Sequence, residues 1–410
     1  MDKPRQDVRT RRVFYIPGYD PIHPRRYREL YRKEGAAQAE ISGYSIALKP
    51  KKTKGPYGWR VTAAMDGAVS AADVQVLVWS DIVRDSMSNS IPATYWQLAR
   101  TAWTYIASGA LRRLMLLRKG PVIAALYPVG MLLLQLLLAL VVGWAGYAVV
   151  TALLSPWIGI VATGLGLALW AAAVVLVLRW VKGKDGKFFA YYLMHDYAYS
   201  AQHGGANPPE LEARMAEFTD TIAAALRTPV DEVLIVGHSS GAHLAVSILA
   251  DLIRQGRVPA NGPKLAFLSL GQVVPMVSFL PKATRLRADL RYLSARDELT
   301  WVDVTAPGDG CAFALCDPVA VSGVAPADKR WPLVFSAAFT QTLSEARWKE
   351  LRWKFFRLHF QYLCAFDLVR DYDYFRITAG PLSLASRYAG RKPSNSRIDI
   401  PVSKFTSIAA

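Results

Sequence analysis

No Asp, Glu, Lys or Arg occurs between Pro121 and Leu178, a run of 58 residues. A soluble core helix carries one apolar stripe, not an apolar surface all round. About 20 consecutive apolar residues take a helix across the hydrocarbon of a bilayer. The run is therefore long enough for two crossings and a short connection, and too short for three with turns. It predicts membrane helices near 121–143 and 158–180, joined through "WAGYAVVTALLSPW". Glycines in "GIVATGLGLALW" would let the second helix approach the first closely.

Two crossings return the chain to the side it left. Arg112, Arg113, Arg118 and Lys119 precede the run, and Arg179, Lys182, Lys184 and Lys187 follow it. Basic loops stay on the cytoplasmic side, so both flanks and both termini are expected in the cytoplasm. The formal net charge of +17 fits an anionic bilayer surface as the partner. A nucleic-acid partner is not expected, because no recognisable nucleic-acid module accompanies the charge. The basic start, "MDKPRQDVRTRRVFYIPGYD", lacks the apolar run of a signal peptide. Cys311, Cys316 and Cys364 are too few for a disulfide framework, show no paired metal spacing, and fit a reducing compartment. Nothing in the composition bears on oligomeric state.

Before the hairpin, "VFYI" reads as a strand running into "PGYDP", and "HPRRYRELYRKEG" as a helix stopped by Gly35. "YSIAL", "WRVTAAM" and "VQVLVWSD" are strand candidates around a basic loop, "KPKKTKGPYG". From Ile91 to Leu117 an aromatic helical pattern suits either the headgroup layer or the surface of a domain. After the hairpin, "FFAYYLMHDYAYSAQHGG" shows no clear period, while "NPPELEARMAEFTDTIAAALR" is an amphipathic helix. Strands "LAFLSL", "LTWVDVTA" and "PLVFSAAF" then alternate with helical segments such as "ATRLRADLRYLSA". This alternation predicts an α/β fold with a mostly parallel sheet flanked by helices. Neither side of the hairpin holds a full set of elements. Residues 119–182 are thus expected as an insertion within one domain made of 1–118 and 183–390, with a tail at 391–410.

The stretch "DEVLIVGHSSGAHLA", residues 231–245, joins a β-rich run directly to small helix-forming residues. It fits G-x-S-x-G in one register, which selects Ser239 between Gly237 and Gly241. The glycines let the turn tighten and the helix approach the sheet. A serine pushed out at the positive end of a helix sits where developing anionic charge is favoured. A strand, a tight turn and a helix form the context in which this pattern presents a nucleophile.

With this "GHSSG" turn the chain resembles the α/β-hydrolase superfamily, specifically its lipase- and esterase-like members. The resemblance covers about 1–110 and 190–380 and not the hairpin. It implies a chain order of Ser, acid, His. Of six histidines only His359 lies beyond the later strands, so it is the implied base. The implied acid follows the strand "LTWVDVTA": Asp309 in "PGDGCAF", with Asp303 and Asp317 as alternatives. The resemblance also implies two oxyanion donors. One is the N–H of Ser240, and the other comes from the loop "YIPGYDP", where Gly18 allows close approach and Tyr19 or Asp20 offers the N–H. Pro17-Gly18 stands where the family carries His-Gly.

The other histidines have plainer readings. His238 and His243 pack beside the turn, and His195 and His203 lack a set of metal ligands. No phosphate loop or dinucleotide fingerprint is present, so neither a metal nor a cofactor is expected. The expectation is a membrane-anchored serine hydrolase acting on an ester or thioester, with a lipid-like or acyl small molecule as substrate. The alternative is a non-catalytic membrane scaffold that keeps the fold and binds a partner.

Overall fold

A computed structural model of the chain describes residues 6–51, 55–87 and 90–409. The first five residues of the basic N-terminus, and residues 52–54 of the basic loop, lie outside the described residues. One sheet carries eight strands: β1 (Thr10–Ile16), β2 (Ser45–Pro50), β3 (Gly58–Met65), β4 (Ala68–Val76), β5 (Glu232–His238), β6 (Lys264–Leu270), β7 (Leu299–Thr305) and β8 (Leu333–Ser336). Their spatial order is β2-β3-β4-β1-β5-β6-β7-β8. The β2–β3 and β3–β4 pairs are antiparallel and the others parallel.

Burial follows from that arrangement. β5 is covered on both faces and every residue in it is buried, which is why its sequence is a continuous apolar run rather than an alternation. β3, toward the antiparallel edge, alternates buried and exposed positions. Along β1, Val13 and Tyr15 enter one core cluster while Phe14 and Ile16 enter the other, on the opposite face of the sheet.

β1 precedes the apolar hairpin and β5 follows it, yet they are neighbours in register, Arg11 beside Glu232 and Ile16 beside Gly237. Arg11 and Glu232 form a fully buried ion pair across this seam. Arg11 also donates to Gly380 O at 2.9 Å, and Glu232 accepts from Leu384 N–H at 2.7 Å. Both charges are thus multiply bonded, the condition under which a buried pair is tolerated. The chain after residue 390 lies along the body, with Ile398 N–H bonded to Leu315 O at 2.7 Å and Val402 buried.

Four local expectations are corrected. The helix expected to stop at Gly35 spans Arg25–Ser42 and ends at Gly43, which takes the left-handed conformation at φ 68°. Gly35 serves packing instead, since a Cβ there would touch the Phe375 ring at 3.2 Å. The strand expected at 74–81 is β4, which starts at Ala68 and stops at Val76 before a short helix at Ser80–Ser86. The segment without a clear period holds a helix, Ala190–Ala201. The short connection expected in the apolar run is itself helical.

That run forms two helices, Lys119–Ile158 and Ile160–Lys182, both long and apolar enough to cross a membrane. The first has 40 residues, about 60 Å of helix. Its lower part packs on protein: Leu132 shares a cluster with Leu98, Tyr191 and Met194, and its carbonyl accepts from Tyr95 OH at 2.8 Å. The chain reverses at Gly159, whose φ of 51° few other residues adopt. Gly143 meets Trp170 and Gly166 meets Tyr147, each so closely that a Cβ would lie 2.8 Å from the ring. The aromatic helix Ile91–Ala107 buries Leu98 and Tyr105 but leaves Trp96 and Trp103 mostly exposed.

Candidate active site

β5 ends at His238 and the helix Ser240–Arg254 starts two residues later, with Ser239 at φ 56°, ψ −123° between them. A serine holds that conformation only when its surroundings over-determine it. They do so through missing side chains. A Cβ on Gly237 would lie 2.7 Å from Gly241 O, one on Gly241 would lie 2.1 Å from Ile16 O, and one on Gly18 would lie 3.0 Å from Ser239 Cβ. Ser239 N–H donates to Leu270 O at 2.9 Å, and Ala242 N–H to Ser239 O at 3.1 Å. The Ser239 side chain has no hydrogen-bond partner among the described residues, and it lines a cavity of about 1260 Å³.

His359 lines the same cavity. It ends the short helix Phe355–His359, and its Nδ1 lies 2.7 Å from Asp309 Oδ2. With the proton on Nδ1, that bond leaves Nε2 as a base. Asp309 sits in the loop after β7, fully desolvated, and accepts further bonds from Cys311 N–H at 2.9 Å and Tyr362 OH at 3.0 Å. Burial pushes its carboxyl pKa up. The His359 charge and these hydrogen bonds outweigh burial and hold it below the ordinary aspartate value.

The other two aspartates do not reach the imidazole. Asp303 is buried in β7 and accepts from Ser269 Oγ at 2.5 Å. Burial raises its pKa to about 8, with the Ser269 bond opposing, so it is protonated at neutral pH. Asp317 caps a short helix through Val319 N–H and Ala320 N–H, at 3.0 and 3.1 Å, and pairs with Lys329 at 2.6 Å.

The loop that follows β1 is firmly held. Pro17 O accepts from Trp79 Nε1 at 3.0 Å, Tyr19 O accepts from Tyr192 OH, and Tyr19 OH contacts Ser86 Oγ at 2.6 Å. Asp20 is bound by Arg26 at 3.0 Å and by Tyr27 OH. Among the described residues, no backbone carbonyl accepts from Tyr19 N–H or Ser240 N–H.

Two residues of the site, Tyr362 and Asp196, escape the sequence reading, and a third, His238, reads there only as packing beside the turn. His238 is buried, with its Nε2 3.0 Å from His359 O, so it fixes the backbone of His359. Burial and the neighbouring His359 lower its pKa to about 3, which keeps it neutral. Tyr362 OH donates to Asp309 while accepting from Ala306 N–H at 3.0 Å. Asp196, on the Ala190–Ala201 helix, lines the cavity, and burial raises its pKa to about 7, partly offset by His359. No spacing links these residues in sequence. The signal for Asp196 was a lone acid on a helix otherwise rich in aromatics.

Asp309, Cys311 and His359 also place possible metal-ligand atoms within 4.8 Å of one another. Their chemistry fits a hydrogen-bonded pair better. Asp309 is already filled by three donors, and burial pushes the Cys311 thiol far above its usual pKa, against the thiolate a metal takes. His195 bonds Gln97 Oε1 at 2.8 Å, His243 is buried, and all three cysteines are free. Comparisons with known protein families, with curated proteins and with solved structures found no match.

Proposed function

We propose that the chain is a serine hydrolase of the α/β-hydrolase kind. Its apolar hairpin holds it at the cytoplasmic face of a membrane, and it cleaves an ester or thioester of a lipid-like acyl substrate. One observation carries this reading. A serine in a strained strand-to-helix turn shares a cavity with an imidazole whose Nδ1 lies 2.7 Å from a buried, ionised aspartate.

In the first half-reaction Ser239 Oγ bonds to the substrate carbonyl carbon while His359 Nε2 takes the hydroxyl proton. The N–H groups of Ser240 and Tyr19 hold the oxyanion. The intermediate collapses, the bond to the leaving group breaks, and His359 returns the proton to the departing alcohol or thiol. Water then attacks the acyl-serine with His359 again as base, releasing the acid and restoring Ser239. Asp309 stays ionised throughout and fixes the imidazole tautomer.

The test is turnover of p-nitrophenyl esters, from acetate to palmitate, by the full chain in nanodiscs. Release of p-nitrophenol that rises with chain length, and falls at least about a thousandfold in Ser239→Ala, is expected. Undiminished turnover by Ser239→Ala would overturn the reading. So would no turnover of any ester, which would favour the partner-binding scaffold.

A further inference from the structure

Two surface segments remain unexplained by the chemistry above. One, residues 184–189, leaves the second apolar helix and reads Lys-Asp-Gly-Lys-Phe-Phe; the other, residues 352–357, reads Arg-Trp-Lys-Phe-Phe-Arg. Each combines cations with aromatic rings, and both are largely exposed: Phe189 to 40%, Phe355 to 48% and Trp353 to 72%. They meet through their phenylalanines, with the Phe189 and Phe356 ring centroids 5.1 Å apart.

The first segment is tied to the hairpin, because Phe188 O accepts from Tyr127 OH, on the first apolar helix, at 2.8 Å. Its one acid is turned inward: Asp185 accepts from Tyr191 N–H and Tyr192 N–H at 3.0 Å each. The second segment belongs to the site, since the helix that carries Phe356 ends in His359. Lys354 and Arg357 share Glu350, leaving the segment basic on balance. Phe189 and Phe356 both line the cavity that holds Ser239.

Exposed rings among cations suit the boundary of an anionic bilayer. The rings enter the acyl margin and the cations meet phosphate. We propose that residues 184–189 and 352–357 form a lip seated in the headgroup layer of an anionic bilayer. The acyl chain of a membrane-resident ester passes along the paired rings of Phe189 and Phe356, which line the cavity, to reach Ser239. The substrate is then taken laterally from the leaflet and not from the aqueous phase. This rests on Ser239 being the acyl-transfer nucleophile.

The full chain in nanodiscs of phosphatidylcholine with phosphatidylglycerol is treated with two fluorophosphonates, one hexadecyl and bilayer-resident, one short and water-soluble. The readout is the ratio of the two rates of Ser239 modification, from which any unfolded fraction cancels. Phe189→Ser and Phe356→Ser should each lower the ratio at least about tenfold, the cost of removing a ring from an apolar passage. Lys184→Glu with Lys187→Glu should lower it in these discs but not in phosphatidylcholine alone. A ratio within twofold of the wild type in both phenylalanine variants would overturn the lip. A parallel fall in both rates would reduce the segments to a membrane rest and overturn it as well. Absence of Ser239 modification by either probe would overturn the hydrolase reading itself, a separate result.

Discussion

Removing the Tyr362 hydroxyl separates an imidazole held for chemistry from one held only for packing. In Tyr362→Phe, Asp309 loses the donor at 3.0 Å while keeping His359 at 2.7 Å and Cys311 N–H at 2.9 Å. A hydrogen bond to an ionised acceptor contributes about 1.5–3 kcal/mol, and the Ala306 N–H left buried and unpaired costs about 1–3 kcal/mol. Stability should fall by about 3 kcal/mol. If half of the lost carboxylate stabilisation is felt in the transition state, Ser239 modification by a soluble fluorophosphonate should slow by about tenfold at neutral pH. The pH dependence carries the sign. Asp309 is held below its ordinary 3.8, so it stabilises the fold above that pH, and this contribution is lost as pH falls through the folded value. Without the hydroxyl, burial is opposed less, the folded pKa rises, and the acid loss of stability begins at higher pH. Rate profiles that superimpose on the wild type, whatever happens to stability, would refute the claim that the Asp309–His359 pair sets reactivity.

Other consequences follow from single positions. Ser239→Gly should abolish modification and raise stability by about 1 kcal/mol in a detergent melt, because glycine relieves the strained backbone; a destabilised variant would contradict the strain. Gly241→Ala places a methyl 2.1 Å from Ile16 O and 2.7 Å from Pro17 O. It should cost about 3 kcal/mol or prevent folding, read as soluble yield and melting temperature. Asp303 keeps its proton in the fold up to about pH 8 but loses it near 3.8 when unfolded. Wild-type stability therefore falls as pH rises through that window, and Asp303→Asn, always neutral, should gain on the wild type by up to about 1.4 kcal/mol per pH unit. Paired melts at pH 4 and pH 8 measure it, and an unchanged difference would place the Asp303 carboxyl in its ordinary range.

Legibility in the sequence tracked the range of the interaction responsible. β5 and its turn are visible because burial on both faces writes a continuous apolar run, and because Gly237 makes room for Gly241 and Ala242 within the same turn, while Gly241 makes room for the distant Ile16 carbonyl. Asp309 and His359 were singled out only through chain order implied by a resemblance, with Asp303 and Asp317 left beside Asp309. It is the fold of residues 299–362 that sets one aspartate against the imidazole and turns the other two toward Ser269 and Lys329. Tyr362 and His238 act through contacts that no local pattern encodes. The length of the first apolar helix was misjudged for another reason. Hydropathy reads alike whether a leucine faces lipid or, as Leu132 does, Tyr191 and Met194. Gly35 reads as a helix stop because a glycine that makes room for Phe375 looks the same in sequence as one that ends a helix.

Mass-spectrometric mapping of a fluorophosphonate adduct, with its rate of formation in the wild type and in His359→Ala, addresses the nucleophile and its base together. The adduct should sit on Ser239 alone and form at least about a thousandfold more slowly without the imidazole. An adduct on Ser240 or elsewhere, or a rate indifferent to His359, would contradict the assignment of these two side chains to one reaction.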